Sequence, residues 1–130
     1  MIGDQIEELK GKITGQRVVD IDTMETTVSS SGSIRGTQVT QILTFVGRVT
    51  SEVLHGIGMG MTVTGESGVA PFTGEAVGRF GSSGNISWRV SIFYKTSSNG
   101  KLSFLNNMVE VFEAEIDAEG NFSHKAWEWK

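Results

Sequence analysis

The chain reads as all-β: one antiparallel, eight-stranded, up-and-down barrel with a short N-terminal helix, residues 1–130 forming a single barrel domain. Three observations predict this. His55–Thr64 alternates strictly, with His55, Ile57, Met59, Met61 and Val63 on one side and Gly56, Gly58, Gly60, Thr62 and Thr64 on the other. That is the two-residue period of a strand, and a helix there would carry three interior glycines at roughly 1 kcal/mol each. Seventeen glycines stand against one proline, set between alternating Val, Ile, Phe and Met, which points to tight turns and closely approaching strands. Beyond Lys12 no segment has the 3.6-residue apolar repeat of a helix, so no crossover helices are expected.

Asp4–Lys10 is the predicted helix. Asp4 suits the N-cap, Glu7 and Glu8 suit the first turn, Ile6 and Leu9 share a face, and Gly11 stops it. At one or two turns it needs support, and a plug over a barrel end would supply it. Ile13–Val28 reads as a long strand whose apolar phase slips near Asp22, predicting a bulge, and Ser29–Ser33 reads as a turn. Ile34–Val46 is the second strand, Gly47-Arg48 a tight connection, and Val49–Thr64 the third strand. Glu66–Pro71 is a loop.

Phe72–Phe80 is the fourth strand, with two phenylalanines bracketing Gly74, Ala76 and Gly78, followed by a turn at Gly81–Gly84. Ile86–Tyr94 carries the strongest core face, through Ile86, Trp88, Val90, Ile92 and Tyr94. Ser98-Asn99-Gly100 is a hairpin signal, since Asn-Gly takes the positive φ of a type I′ turn. Residues 101–117 admit two readings: one curved strand with Phe104, Asn106, Met108, Glu110 and Phe112 on one face, or a hairpin turning at Asn106-Asn107. Asp117–Asn121 is a turn and Phe122–Lys130 the last strand, with Trp127 and Trp129 on one side. Closure into a barrel removes the edges that so many long strands would expose, and a two-sheet sandwich is the alternative.

The glycine face of the third strand faces either outward, inviting a second subunit, or inward, leaving room for a ligand. Burying Ile57, Met59 and Met61 would stabilise by roughly 1.5–3 kcal/mol each, so the bulky side is expected in the lumen.

Composition narrows the partners. A net charge of −4 with scattered Lys and Arg gives no footprint for nucleic acid. There is no cysteine, hence no disulfide or thiolate metal site. No run reaches the length of a membrane helix and the acidic start is not a signal peptide, so a cytoplasmic protein without membrane contact is expected. No cofactor is expected either.

The glycine-spaced strands at Gly56–Val63 and Phe72–Phe80, the short N-terminal segment and Gly100-Lys-Leu-Ser-Phe-Leu-Asn-Asn107 together resemble small calycin-type barrels. The resemblance is to the allene-oxide-cyclase-like group and its prokaryotic relatives. It implies an eight-stranded, often oligomeric barrel whose lumen or mouth holds an apolar small molecule, cyclised or isomerised in some members. No catalytic residue of those enzymes maps onto a position here.

Gly65–Gly68 and Gly81–Gly84 are turns rather than nucleophile elbows, and Gly56-x-Gly58-x-Gly60 is a strand rather than a dinucleotide fingerprint. His55 and His124 form no local metal motif, and no metal is expected. Asn85-Ile-Ser87 and Asn121-Phe-Ser123 match the glycosylation pattern, which has no meaning without secretion. The catalytic candidates are Glu110 and Asn106, because a carboxyl held among Phe104, Met108 and Phe112 would have a raised pKa and act as acid or base. The plainer reading puts Glu110 in solvent after a turn. Trp88, Tyr94, Phe104, Phe112 and Trp127 are candidate ligand walls, with His55 and Arg35 as polar contacts; Gln41, Arg79 and Arg89 either line a mouth or pair across strands. The expected function is binding of an apolar or aromatic small molecule, with cyclase or isomerase chemistry as an option. The alternative is a non-enzymatic homo-oligomeric assembly module with a filled barrel.

Overall fold

The computed structural model of the chain describes residues 1–65, 68–97 and 100–130. Eight strands run in sequence order: β1 (Ile2–Asp20), β2 (Thr23–Ile34), β3 (Thr37–Thr50), β4 (Val53–Val63), β5 (Val69–Phe80), β6 (Ile86–Tyr94), β7 (Val109–Ile116) and β8 (Asn121–Trp129). Every neighbouring pair is antiparallel, and β8 returns to β1 to close a barrel. The expected up-and-down barrel is therefore present.

The N-terminal helix is not. Asp4–Lys10 lies within β1, where Glu7 pairs with Ile34 of β2 and Ala126 of β8, and Leu9 with Gly32 and His124. Glu7 and Leu9 turn into the barrel while Glu8 and Lys10 face solvent. A helix of one or two turns would satisfy few of its own backbone groups and leave β2 and β8 each with an open edge; the strand satisfies both edges. Gly11, which reads as a helix stop, is instead a point of close approach, where a Cβ would collide with the Ser29 carbonyl.

Other boundaries shift with it. Ile13–Val28 is not one strand; the slip at Asp22 marks the β1–β2 turn. Ser29–Ser33 lies inside β2, and the reversal falls at Arg35-Gly36, both at positive φ. Gly47-Arg48 lies inside β3, which turns at Ser51 (φ 60°). Residues 101–117 follow neither reading: a 3-10 turn at Ser103–Leu105 and Asn107 at positive φ precede β7. The Asn99 half of the predicted Asn-Gly hairpin lies outside the described residues, whereas the Gly81–Gly84 and Asp117–Asn121 turns stand where expected.

The third-strand glycines face inward, against expectation. Ile57, Met59 and Met61 are 59%, 66% and 52% exposed. A Cβ on Gly56 would lie 3.1 Å from the Trp88 ring, on Gly58 2.8 Å from Phe45 Cβ, and on Gly74 2.6 Å from Ile92 Cγ2. Larger side chains from β3, β5 and β6 already fill that space. Phe45 meets Trp88 edge-on with centroids 5.2 Å apart, and Phe72 meets Tyr94 at 5.3 Å. The void left between Trp88, Ile92 and Phe112 is about 40 Å³, room for a water and not an organic ligand.

Gly58→Val and Gly74→Val should each destabilise by at least about 1–3 kcal/mol, because the Cβ meets backbone as well as side chain and the barrel must widen. Met59→Val, on the outer side of the same strand, should change stability by under about 0.5 kcal/mol. Urea unfolding of the three variants measures the contrast, and equal losses would put the glycine face outside.

Candidate functional site

The two ends of the barrel differ. At one end, residues 100–108 fold over the lumen and bury Leu102, Leu105 and Met108. Tyr94 N donates to Met108 O at 3.0 Å, Asn107 N to Tyr94 O at 3.1 Å, and Thr96 N to Asn106 Oδ1 at 3.1 Å. Arg35 reaches across the rim, 2.8 Å from Glu128, with its guanidinium 4.8 Å from the centroid of Phe104.

The other end is open. Pairing of β1 with β8 runs only to Lys12 and Asn121, with Ile13 N donating to Gly120 O at 2.9 Å as the last rung. Beyond it, β1 continues to Asp20 paired with β2 alone. The wall flares, and a cavity of about 600 Å³ lies between the β1–β2 tip and the turns at 81–85 and 117–120. Its inner end is Trp88, Phe45, Gly47 and Ile116; its walls include Val18, Met24, Val49, Leu54 and Phe80. Four of these wall side chains remain unusually exposed: Val18 70%, Met24 39%, Val49 44% and Phe80 57%. The indole N–H of Trp88, itself 5% exposed, has no hydrogen-bond partner among the described residues. A barrel interior with this volume and lining can host a small apolar molecule.

Toward the closed end the lumen holds a polar cluster without solvent access. Glu7 accepts from Gln41 Nε2 at 3.2 Å and from Tyr94 OH at 3.4 Å, and its Oε1 lies 2.6 Å from His124 Nε2. Gln41 also donates to Thr62 Oγ1 at 3.0 Å. His124 stacks on Phe112, centroids 4.5 Å apart. Glu110 is fully buried beside Glu7, and neither of its oxygens has a hydrogen-bond partner among the described residues. Burial first, then the charge of Glu7 and a bond to it that a protonated Glu110 would make, push the Glu110 carboxyl well above the usual carboxylate range. Tyr94 is pushed above its usual value by burial, then by Glu7 and Glu110.

The sequence candidates are thus divided. Glu110, Tyr94 and Phe112 share the buried cluster, and Trp88 sits at the inner end of the mouth. Phe104 and Arg35 form the closed rim. Asn106 is exposed and ties down the lid loop. His55 is exposed on the outer wall, where Trp127 also lies. That wall carries a wide, shallow hollow of about 1060 Å³ in which Arg89 stands opposite Glu113 in the β6–β7 register and donates from Nη1 to the Trp88 carbonyl at 3.1 Å. Arg79 lies on β5 opposite Ser87 of β6. Glu7, Thr62 and His124 belong to the cluster and were not singled out in the sequence as its members. Glu7 was hidden by the helix assignment, whereas the Phe122/His124/Ala126 alternation carried a readable signal. Among the described residues no three His, Asp or Glu side chains gather in a metal-holding arrangement, and no helix is long and apolar enough to cross a membrane.

No protein-family model matches the chain, and no curated protein matches it in sequence. In structure it is similar to a conserved protein of unknown function from Rhodopseudomonas palustris, known from a crystal structure, at 9% identity and TM-score 0.76 over 99% of each chain. At that identity the likeness shows the shared barrel fold alone.

Because the Glu110 carboxyl is pushed toward its neutral form in the folded state and ionises freely in the unfolded chain, the native state holds its proton to higher pH. Stability contributed this way is full below the ordinary Glu value near 4.5 and is lost as pH rises toward the higher folded value. Glu110→Gln should flatten that decline, gaining on the natural protein between pH 5 and 8. Urea midpoints across that range measure it, and parallel slopes would mean that Glu110 is ionised in the native barrel.

Proposed function

We propose that this protein binds an apolar or aromatic small molecule in the flared mouth of the barrel. The observation that carries the reading is the open cavity of about 600 Å³ whose apolar lining stays exposed at Val18 and Phe80 while the rest of the lumen is packed. Isolated exposed apolar residues are ordinary, but several converging on one concave space mark a binding site. Trp88 and Phe45 give that space an aromatic inner end. Placement among the calycin-type, allene-oxide-cyclase-like barrels belongs to the same proposal and is supported by the up-and-down closure of eight strands.

Cyclase or isomerase chemistry is the second reading, and the neutral buried carboxyl of Glu110 favours it, since a protonated acid in an apolar lumen is a proton donor in waiting. In the packed barrel, Phe112 and Trp88 stand between that carboxyl and the mouth, so turnover would require the aromatic layer to part. The assembly reading rests on the outer face, where Ile42, Ile57, Met59, Met61 and Phe93 are exposed. A self-association through that face is compatible with an occupied mouth.

Calorimetric titration with 2-naphthylmethanol tests the binding reading. The natural protein should bind it, and Gly47→Leu should weaken binding at least tenfold, because a Cβ there lies in ordinary contact with Trp88, 3.7 Å away, and the longer side chain enters the cavity. Glu110→Gln should leave affinity unchanged. No heat of binding in the natural protein, or equal affinity in Gly47→Leu with its fold intact by circular dichroism, would remove the mouth as the site.

A further inference from the structure

The strand register sorts the outward-facing residues of β3, β4, β5 and β6 into rows across the barrel wall. One row is Ile42, Met61, Pro71 and Lys95, the next is Thr44, Met59, Thr73 and Phe93, and a third is Val46, Ile57, Glu75 and Ser91. Ile42, Ile57, Met59, Met61 and Phe93 are each more than half exposed. Taking about 200 Å² for a large apolar residue, their exposed fractions give about 550 Å² of contiguous apolar area. A stable interface takes about 800 Å² from each partner, with more than half of it apolar. The face holds that apolar share without help from the rest of the surface. Its third row also lines the wide outer hollow through Val46, Ile57, Glu75 and Ser91, whereas the first row lies outside that hollow. Glu75 and Lys95 are the only charges in the three rows, and neither pairs with an opposite charge among the described residues. Four residues separate them along the strands, about 14 Å, too far for a contact within one barrel.

From this arrangement we infer that a second copy of the chain covers this face, in a two-fold dimer whose axis lies in the contact plane and runs across the strands near Thr73 and Phe93. Rotation about such an axis lays the first row of one copy on the third row of the other. Ile42 and Met61 then fill the partner's hollow beside Val46 and Ile57, and Phe93 packs close to its own counterpart. Lys95 comes over the partner's Glu75. Every contact is made twice, as a self-complementary interface requires. Lys95 sits one strand over from Glu75, so the two sheets must cross at a tilt, and the tilt needed is of the size found for sheets packed face to face, about 30°. Two opposite charges, each without a mate on its own barrel and spaced to meet across the two-fold, mark a surface that fits itself rather than a bilayer. The inference gives the outer-face assembly reading a definite partner and symmetry, and it is separate from binding in the mouth.

Sedimentation velocity at about 100 µM, above the micromolar Kd at the weak end for interfaces of this size, should show the natural protein as a dimer. Met59→Glu, at the middle of the face, should weaken dimerisation at least about tenfold. Ile21→Glu puts the same charge on an exposed apolar position at the β1–β2 turn and should leave it unchanged. Lys95→Glu and Glu75→Lys should each weaken the dimer, and the exchanged pair Lys95→Glu/Glu75→Lys should regain most of the loss, because only a contact between copies brings the two positions together. A trimer or larger ring, a dimer indifferent to Met59→Glu, or an exchanged pair no tighter than the single variants would overturn this interface while leaving assembly through another surface. A natural protein that stays monomeric would overturn the second copy and the assembly reading with it. Flotation of that monomer with phosphatidylcholine vesicles, lost in Met59→Glu, would assign the face to a bilayer, and failure to float would assign it to a different protein. Titration of the mouth with 2-naphthylmethanol reads the binding proposal separately from all of these.

Discussion

Trp88 occupies the lumen because the strands across from it have no side chains to offer. Gly47, Gly56 and Gly78 all place the site of a missing Cβ within 3.7 Å of its six-membered ring. The same economy lets Phe45 cover Gly58 and Phe72 cover Gly60. An eight-stranded barrel has an interior just wide enough to be filled by its own side chains. Here the filling is divided unevenly, with aromatic rings from β3, β5 and β6 lying over bare backbone in β4. Much of the rest follows from that division. With the glycines inside, the alternating Ile57, Met59 and Met61 have no place except the outer wall, and the centre of the lumen is closed to anything larger than water.

The interior is consequently split into two compartments with opposite chemistry. Beyond the aromatic layer, under the lid, Glu7, Gln41, Thr62, Tyr94, Glu110 and His124 form a dry network whose members satisfy one another incompletely. A low-dielectric pocket holding two neighbouring carboxyls disfavours two full charges, and burial with the nearby charge of Glu7 pushes Glu110 toward its protonated form. Such a network fixes a unique arrangement of four or more strands around Glu7, whatever else it does. On the near side of the layer the barrel is open, because β1 overshoots β8 and its last residues pair with β2 alone. The same feature exposes apolar side chains and creates the concave space. The flare at this end comes from a mismatch in strand length between β1 and β8, whereas the other end is closed by residues 100–108.

Much of the barrel was legible in the chain. Strand alternation, turn residues at Gly81–Gly84 and Asp117–Asn121, and the uninterrupted core face of Ile86–Tyr94 are local properties and are realised where the residues place them. Glu110 was legible as a buried carboxyl on one of the two strand readings of residues 101–117. The helix at Asp4–Lys10 was not excluded by local pattern, since Ile6 and Leu9 satisfy a helical face as well as the strand supports Leu9. The positions of the β1–β2 and β3–β4 turns were hidden for a related reason. Long Ser- and Thr-rich strands lack apolar contrast, and Ser51 adopts positive φ without the glycine that usually announces it.

The sequence by itself determined the period-two backbone, the strand-rich architecture and the presence of one strand with a bulky and a bare face, because these depend on neighbours along the chain. Which face turned inward depended on what stood across the barrel. The burial energy of Ile57, Met59 and Met61 favoured one answer, but the aromatic rings of strands β3, β5 and β6 compete for the same volume, and the bare face is the only one that admits them. The gathering of Glu7 with His124, 117 residues away, and of Asp20 with Asp117 around one opening was likewise decided only in three dimensions. No local pattern encodes how far one strand will outrun the partner that closes the barrel upon it.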